Sequence, residues 1–287
     1  EMEYAINVTG LCKSYQDFAL DNVSFAVPKG SIMGFIGENG AGKSTTIKAM
    51  LNLIHRDAGT VEILGMDLDG HEKEIKERIG VVFDECCFHD NLTPADISKI
   101  LGNIYQNWDG KLYQKYLVQF GLDEKKKIKE FSRGMKMKLG IAAALAHRPD
   151  VLILDEATSG LDPIVREEIL DIFLDFIQDE NHAILISSHI TSDLDKIADY
   201  LTFIHHGRII LSSGRDDLMD SMGIVKCGAE DLEKIEQDQI IRYRKNQFGC
   251  EVLIRNKRSF AVGHPEMVID PVTTEAIMLF YSRGEEL

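Results

Sequence analysis

Cysteine is sparse in this chain, and its five copies form no pattern that binds metal or builds a disulfide framework. Two of them are adjacent, Cys86 and Cys87, and the other three are Cys12, Cys227 and Cys250. No two are spaced as C-x-x-C, which excludes the usual zinc and thioredoxin-like motifs. Because the number is odd and two copies are adjacent, we expect free thiols in a reducing compartment such as the cytoplasm.

The sequence also lacks a long apolar segment and an excess of basic residues. Its nearest apolar run, residues 140–146, is far below the roughly 20 residues that cross a bilayer, and it is more typical of a buried helix. Residues 1–4 contain no basic segment, so we expect no signal peptide. The net charge of −15 argues against nucleic acid as the main partner, because binding a phosphate backbone requires a basic patch. We find no internal repeat and no low-complexity tract.

The segment GENGAGKS at residues 37–44 carries the most information in the chain. It fits the phosphate-binding loop pattern G-x-x-x-x-G-K-[ST], it follows the apolar run 32–36, and it opens a helical pattern. Glycines in such a loop let consecutive N–H groups point at phosphate oxygens. Lys43 adds a positive charge for the outer phosphates, and the Ser44 hydroxyl can bind magnesium. The pattern predicts a nucleotide site formed by Gly37, Glu38, Asn39, Gly40, Ala41, Gly42, Lys43, Ser44 and Thr45.

Two further patterns supply polar groups that a nucleotide site can use. The apolar run VLILDE ends in two acids, of which Asp155 can ligate magnesium and Glu156 can polarise a water in line with the terminal phosphate. The sequence FSRGM begins a helical pattern, in which Ser132 and Gly134 can form an anion site at the helix N-terminus. Taken alone, each pattern is also typical of an ordinary strand end or a capped helix, so the functional interpretation depends on the phosphate loop.

Hydrophobic periodicity predicts alternating strands and helices along most of the chain. The predicted strands are 5–8, 20–27, 32–36, 61–64, 79–83, 151–154, 183–187, 201–204, 209–211, 252–254 and 260–262. The predicted helices follow the phosphate loop over 47–54, fill much of 93–147, and cover 162–178 and 271–282. Buried apolar strands that alternate with helices indicate a mostly parallel sheet covered by helices.

The order of the motifs resembles the nucleotide-binding subunits of ATP-binding cassette (ABC) transporters over residues 4–220. After the phosphate loop come FSRGM, VLILDE, SGLD and then SSHI, which contains His189. The resemblance implies that Tyr15 stacks on adenine, that Glu156 is the general base and that His189 senses the terminal phosphate. It also implies that Asp162, in SGLD, bridges two nucleotide sites.

Two positions depart from the family pattern. The signature usually reads Leu-Ser-Gly-Gly-Gln, whereas this chain has Arg133 and Met135 beside the retained Ser132 and Gly134. A glutamine usually follows the strand before the helical insertion, where it meets magnesium and senses the membrane subunit. Asp84 stands at that place, and the resemblance implies that it joins Ser44 and Asp155 as a magnesium ligand.

The resemblance implies an α/β fold of the P-loop NTPase type. We expect a mostly parallel core sheet, an N-terminal antiparallel β subdomain, an inserted α-helical subdomain at about 90–148 and a small C-terminal α+β extension. The expected division is an ABC ATPase cassette over 1–222 and an accessory region over 223–287.

The implied function is that of an ATPase motor of an ABC transporter, with ATP and Mg²⁺ as cofactors. We expect an exporter of peptides or drugs, of the bacitracin or phenol-soluble-modulin type. A second ATPase chain, identical or a paralogue, would form a head-to-tail dimer around ATP, and an integral membrane permease would dock on the helical insertion. This places the chain in the cytoplasm, on the inner face of the membrane. The alternatives are a soluble ABC ATPase, for example of the iron–sulfur assembly type, and a regulator that has lost hydrolysis.

Overall fold

The N-terminal part of the chain forms an antiparallel sheet beside the first strand of a larger parallel one. The computed structural model describes residues 3–247 and 249–285. The first elements are β1 (Tyr4–Ser14), β2 (Ala19–Pro28), β3 (Ile32–Ile36), α1 (Lys43–Met50), β4 (Ala58–Ile63), β5 (Met66–Asp67), α2 (Leu68–Arg78) and β6 (Ile79–Val82). Strands β2, β1, β4 and β5 pair antiparallel in that order, which agrees with the expected β subdomain. Alternate side chains of β1, such as Ile6 and Val8, are buried, as a sheet with one covered face requires.

Helices fill the stretch between β6 and the next strand, as the periodicity predicts. They are α3 (Pro94–Ile104), α4 (Gly110–Gln119), a 3₁₀ turn (Ile128–Glu130) and α5 (Arg133–Ala146). Helix α3 begins with a capping box, in which Thr93 accepts from the Asp96 N–H and the Asp96 carboxylate accepts from the Thr93 N–H. The six residues 141–146 at the end of α5 are all buried, as is Leu139, so this helix anchors the insertion.

The remaining strands of the central sheet alternate with helices. They are β7 (Val151–Asp155), α6 (Pro163–Phe176), β8 (Ala183–Ser188), α7 (Thr191–Ile197), β9 (Tyr200–His205), β10 (Arg208–Gly214) and α8 (Arg215–Ser221). The six strands lie in the order β10-β9-β3-β8-β7-β6, and only the β9–β10 hairpin is antiparallel. Since parallel strands end at the same edge, the segments that follow β3, β7 and β8 meet there.

The last part of the chain forms a third sheet and a helix that returns to the core. Its elements are β11 (Gly223–Cys227), α9 (Ala229–Leu232), a 3₁₀ turn (Gln237–Gln239), β12 (Ile240–Asn246), β13 (Gly249–Ile254), α10 (Lys257–Gly263), β14 (Ile269–Pro271) and α11 (Thr274–Arg283). The strands pair antiparallel in the order β12-β13-β11-β14. Helix α11 packs with α7, β9 and β12, so the expected C-terminal helix is present and contacts the central sheet.

Two predicted elements differ from the structure. The segment 260–262 is not a strand but lies in α10, because Asn256 caps a helix there by accepting from the Ser259 N–H at 3.1 Å, and Phe260 is buried on its inner face. The helix after the phosphate loop ends at Met50, so Ile54 lies beyond it. Within the described residues, no helix is both long enough and apolar enough to cross a membrane.

Candidate functional site

The predicted phosphate loop lies between the end of β3 and the start of α1. Gly37 passes so close to β9 that a Cβ there would lie 2.6 Å from the carbonyl oxygen of Ile204. Gly42 has φ of 114°, and a Cβ there would lie 2.9 Å from Cζ of Phe18. Side chains larger than hydrogen are therefore excluded at both positions, which explains the glycines at these places in the motif.

Lys43 is buried inside this loop. Its side chain is only 5% exposed, and Nζ donates to the carbonyl oxygens of Gly37 at 2.7 Å and Glu38 at 3.2 Å. The same ammonium lies 3.2 Å from Oε1 of Glu156. The loop thus holds a positive charge at the first residue of α1, where the helix dipole also favours anions.

Glu156, the predicted base, lies directly after β7 and contacts both Lys43 and the predicted switch histidine. Its Oε2 lies 2.8 Å from Nδ1 of His189, the residue that follows β8. Its backbone has φ of 54°, an uncommon conformation for a residue with a side chain. Lys43, Glu156 and His189, which are far apart in the sequence, therefore form one continuous chain of contacts at the edge of the sheet.

Sequence reasoning treated Ser187 only as part of the SSHI context, yet it contacts both acids of VLILDE. Its hydroxyl donates to Oδ1 of Asp155 at 2.6 Å and accepts from the N–H of Glu156 at 3.1 Å. This one side chain fixes the end of β7 against the end of β8. A polar residue at the end of an otherwise apolar strand is the signal that could have identified it.

The predicted magnesium ligands occupy different environments. Asp155 is buried at the end of β7, Ser44 is half-buried in the first turn of α1, and Asp84 is exposed beyond β6. Among residues 3–247 and 249–285, no three His, Cys, Asp or Glu side chains are grouped so that they could hold a metal ion. The oxygen donors of Ser44 and Asp155 still fit magnesium, which takes one or two protein ligands and completes its shell with phosphate and water.

Tyr15 lies in the turn between β1 and β2. Its side chain is 50% exposed, and Nζ of Lys13 lies 5.4 Å from the centre of its ring. Phe18, in the same turn, is one of the residues that approach Gly42. The turn therefore presents an accessible aromatic ring on the side of the phosphate loop.

The signature and SGLD residues form a second group, at the N-termini of α5 and α6. Ser132 caps α5 and accepts from the Met135 N–H at 3.2 Å, and Asp162 caps α6 and accepts from two N–H groups at 3.1 Å. A Cβ on Gly134 would lie 3.3 Å from Cγ1 of Val165 in α6, so the two helix starts are in contact. Arg133 extends from α5 over the SGLD segment, where a Cβ on Gly160 would lie 2.9 Å from its Nη1.

A buried polar cluster that the sequence did not reveal connects α6 and α7. Asp193 of α7 is almost fully buried, with Oδ1 3.8 Å from Nη1 of Arg166. Burial raises the pKa of Asp193, while the Thr158 hydroxyl and the Arg166 guanidinium act in the opposite direction. Nη2 of Arg166 also donates to the carbonyl oxygen of Leu161, next to Asp162. The helix after His189 is thereby linked to the SGLD segment.

A cavity of about 610 Å³ opens between the segment after β6 and the helical insertion. Exposed acids on one side, Asp84 and Glu85, face basic side chains of α5, Arg133 and Lys136, on the other. The cavity is also lined by the apolar or weakly polar side chains of Val81, Val82, Phe83, Cys86, Cys87, Phe88, Leu101, Tyr105, Phe131, Met137, Ala143 and Ala144. It could accept an amphipathic segment of another protein.

Known proteins resemble the chain in both sequence and fold. The ABC transporter family matches residues 20–159. The bacitracin transport ATP-binding protein BcrA of Bacillus licheniformis is 38% identical over 214 residues, which cover 73% of this chain and 69% of BcrA. The lantibiotic transport ATP-binding protein SrtF of Streptococcus pyogenes is 34% identical over 238 residues, 82% of this chain and 97% of SrtF. A solved structure of an ATP-binding subunit of an ABC transporter has a TM-score of 0.68 at 27% identity, covering 75% of this chain and 91% of that one.

These similarities decide between the functions that the sequence left open. The relatives are subunits of transporters, so a soluble ABC ATPase of the iron–sulfur assembly type is not favoured. The fold agrees with the expected P-loop NTPase architecture. Because relatives at this level of identity span more than two thirds of their own length and of this chain, the chain belongs to the ATP-binding subunits of ABC transporters, which couple the hydrolysis of ATP to transport.

Proposed function

We propose that Lys43, Glu156 and His189 form the hydrolytic centre. The observation that carries this proposal is the continuous contact from the Lys43 ammonium through the two oxygens of Glu156 to Nδ1 of His189. Phosphate oxygens of ATP would compete with Glu156 for Lys43 and release one carboxylate oxygen. Glu156 would then accept a proton from the attacking water, and His189 would orient the carboxylate and sense the terminal phosphate.

The backbone of the loop and the oxygen donors around it complete the proposed nucleotide site. The N–H groups of residues 38–45 would bind phosphate oxygens at the positive end of α1, and Tyr15 would stack on adenine through its exposed ring. Ser44, Asp155 and Asp84 would hold Mg²⁺, which neutralises charge on the phosphates. The hydrogen bond from Ser187 keeps the Asp155 carboxylate at the strand end.

A second ATPase chain would complete the site in a head-to-tail dimer. Ser132 and Gly134 lie at the start of α5, where unpaired N–H groups and the helix dipole attract an anion. Asp162 lies at the start of the adjacent helix. We place the phosphates of ATP between this group and the phosphate loop of the other chain, so that ATP closes the dimer and hydrolysis opens it. The second chain would be a copy of this one or a paralogue.

The cavity beside Asp84 would dock the membrane permease. It lies between the nucleotide-binding sheet and the helical insertion, and it combines an apolar lining with charges of both signs at its rim. In this proposal the cassette comprises residues 1–222 with the insertion at about 90–148, and residues 223–287 are accessory. The chain would lie on the inner face of the membrane, and the transported cargo would be a peptide or drug that is exported, as the names of its relatives suggest.

The docking proposal is tested by placing a charge in the cavity. Cys87 is exposed and lines it, so Cys87→Arg would obstruct the cavity without removing a buried side chain. Val118→Arg, on the exposed side of α4, is the matched control. We expect the tagged wild type and Val118→Arg to copurify with the coexpressed permease in detergent, and Cys87→Arg to lose the permease while the isolated subunit keeps its ATPase rate. Equal copurification of all three proteins would contradict docking at this cavity.

A further inference from the structure

The C-terminal helix α11, in the proposed accessory region, packs into the hydrophobic core of the cassette, although it lies far beyond the part of the chain that the ABC transporter family matches. Its inner face is formed by Thr274, Ile277 and Phe280, which are all fully buried. Of these, Ile277 and Phe280 share one hydrophobic cluster with Leu194 of α7 and Phe203 of β9. The helix is therefore positioned to act on elements of the nucleotide site.

Thr274 makes a polar contact with α7, the helix that begins two residues after His189. Its hydroxyl donates to Oδ1 of Asp195, and Nη1 of Arg215 donates to the Asp195 carbonyl oxygen at 2.6 Å. Helix α7 has only seven residues, and its N-cap, Ile190, provides no side-chain hydrogen bond. A helix this short is not stable by itself, so tertiary contacts must determine where it lies.

The other end of α11 packs against the phosphate loop. Met278, Tyr281 and Ser282 line, with Gly37 and Glu38, a cavity of only about 10 Å³. A space this small is at the limit of what one water molecule needs, so the helix and the loop are closely packed. Helix α11 thus contacts α7 near its start and lies beside the phosphate loop near its end.

The same helix is attached to the C-terminal sheet. Its end is followed by Glu285, whose backbone pairs with Tyr243 of β12 and whose carboxylate accepts from the Tyr243 hydroxyl at 2.8 Å. The Arg244 guanidinium lies 4.6 Å from the centre of the Phe280 ring. The C-terminal sheet therefore holds α11 through β12, in addition to the contacts of α11 with α7.

We propose that Thr274 is a positioning residue for hydrolysis: through its hydrogen bond to Asp195 it holds α7 so that His189 stays in contact with Glu156. The proposal rests on the proposed roles of His189 and Glu156. Loss of the bond would let α7 shift and displace the histidine from the base. The phosphate loop would keep its own contacts, so nucleotide binding would change little while the chemical step slows.

The test compares two substitutions at Thr274 with one at its neighbour. Thr274→Val keeps the volume and removes the hydroxyl, whereas Thr274→Ser keeps the hydroxyl. Thr273→Ala is the matched control, because it removes the cap of the same helix, where Thr273 accepts from the Ala276 N–H, but leaves Thr274 intact. ATPase rates are measured at a temperature where circular dichroism shows every variant folded. Asp195→Ala, at an exposed position, is the second route if Thr274→Val does not fold.

We expect Thr274→Val and Asp195→Ala to lower kcat about tenfold with KM changed less than about twofold, since small displacements of catalytic groups slow the chemical step strongly. Thr274→Ser and Thr273→Ala should keep most of the wild-type kcat. The double variant that combines Thr274→Val with Asp195→Ala should be no slower than either of these single variants, because both remove the same hydrogen bond.

A normal kcat in Asp195→Ala, or an equal loss in Thr273→Ala, would overturn the positioning role. Either outcome can be distinguished from failure of the proposed hydrolytic centre, because that failure would appear as normal turnover in Glu156→Gln.

Discussion

Replacing Glu156 by glutamine tests the proposed base with the smallest structural change. Glutamine has nearly the same size, and its amide oxygen can still accept a hydrogen bond from His189, which lies 2.8 Å from the Glu156 carboxylate. The substitution removes the negative charge 3.2 Å from Nζ of Lys43 and the ability to take a proton. We therefore expect the site to keep its geometry and to lose the general base that activates water.

The expected loss follows from what a general base contributes. Positioned proton transfer accelerates reactions about 10²–10⁴-fold, which corresponds to about 2.7–5.5 kcal/mol of activation free energy. Nucleotide affinity should not fall, because the Lys43 ammonium no longer pairs with a carboxylate that competes with phosphate for it. Glu156→Gln should bind ATP at least as tightly as the wild type, turn over at least a hundredfold more slowly, and accumulate as an ATP-bound dimer.

Three measurements on one protein preparation test this. Phosphate release gives kcat, titration with a fluorescent ATP analogue gives affinity, and light scattering after gel filtration with ATP gives the mass. Glu38→Gln is the matched control, because it removes an exposed carboxylate from the same loop, where only the backbone of residue 38 contacts Lys43. Turnover close to wild type in Glu156→Gln would refute the assignment of the base, and a variant that stays monomeric with saturating ATP and its permease would refute the dimer.

Three other substitutions test separate parts of the structure. Lys43→Ala should weaken ATP binding by about tenfold to a hundredfold in the same titration, since hydrogen bonds to charged groups contribute about 1.5–3 kcal/mol; unchanged affinity would contradict its role. Tyr15→Ala should lower the affinity for ATP by about tenfold, as base stacking on an aromatic ring contributes about 1–3 kcal/mol, without changing the melting temperature, since the ring is half exposed. Burial lowers the pKa of His147 below its ordinary 6.5, so folding favours the neutral ring. The stability that the neutral His147 ring contributes is complete above pH 6.5, and it is lost as the pH falls through the lower folded-state pKa. Between pH 7.5 and pH 5.5, the free energy of unfolding in urea should therefore fall less in His147→Gln than in the wild type.

The structural elements that could be predicted from the sequence are those that depend on residues close together in the chain. The glycine pattern, the apolar strands and the turn residues predicted β3, the phosphate loop and a mostly parallel sheet, because each depends on neighbours in the chain. The segment 260–262 was predicted wrongly for the same reason. Three apolar residues fit a strand as well as a buried helix face, and the Asn256 cap decided in favour of the helix.

The contacts that organise the site could not be predicted because they join distant segments. Ser187 bonds to Asp155 over 32 residues, and Thr274 bonds to Asp195 over 79. Serine and threonine are common, and no spacing distinguishes these two from others. Motif order identified Lys43, Glu156 and His189 as a group, whereas only the register of β7 and β8 brings the Ser187 hydroxyl to both acids.

The position of α11 also decides which experiments can reveal what the C-terminal region does. Deleting residues 223–287 would remove Ile277 and Phe280 from the hydrophobic cluster that includes Leu194 and Phe203. Burying a side chain such as phenylalanine or isoleucine contributes about 1.5–3 kcal/mol, a large share of the 5–15 kcal/mol that stabilises an ordinary domain. A truncated chain would therefore lose activity because its core is incomplete, whatever the region contributes to hydrolysis. Single substitutions at a polar contact, such as the hydrogen bond between Thr274 and Asp195, leave this apolar packing in place. They therefore separate an effect on hydrolysis from an effect on folding.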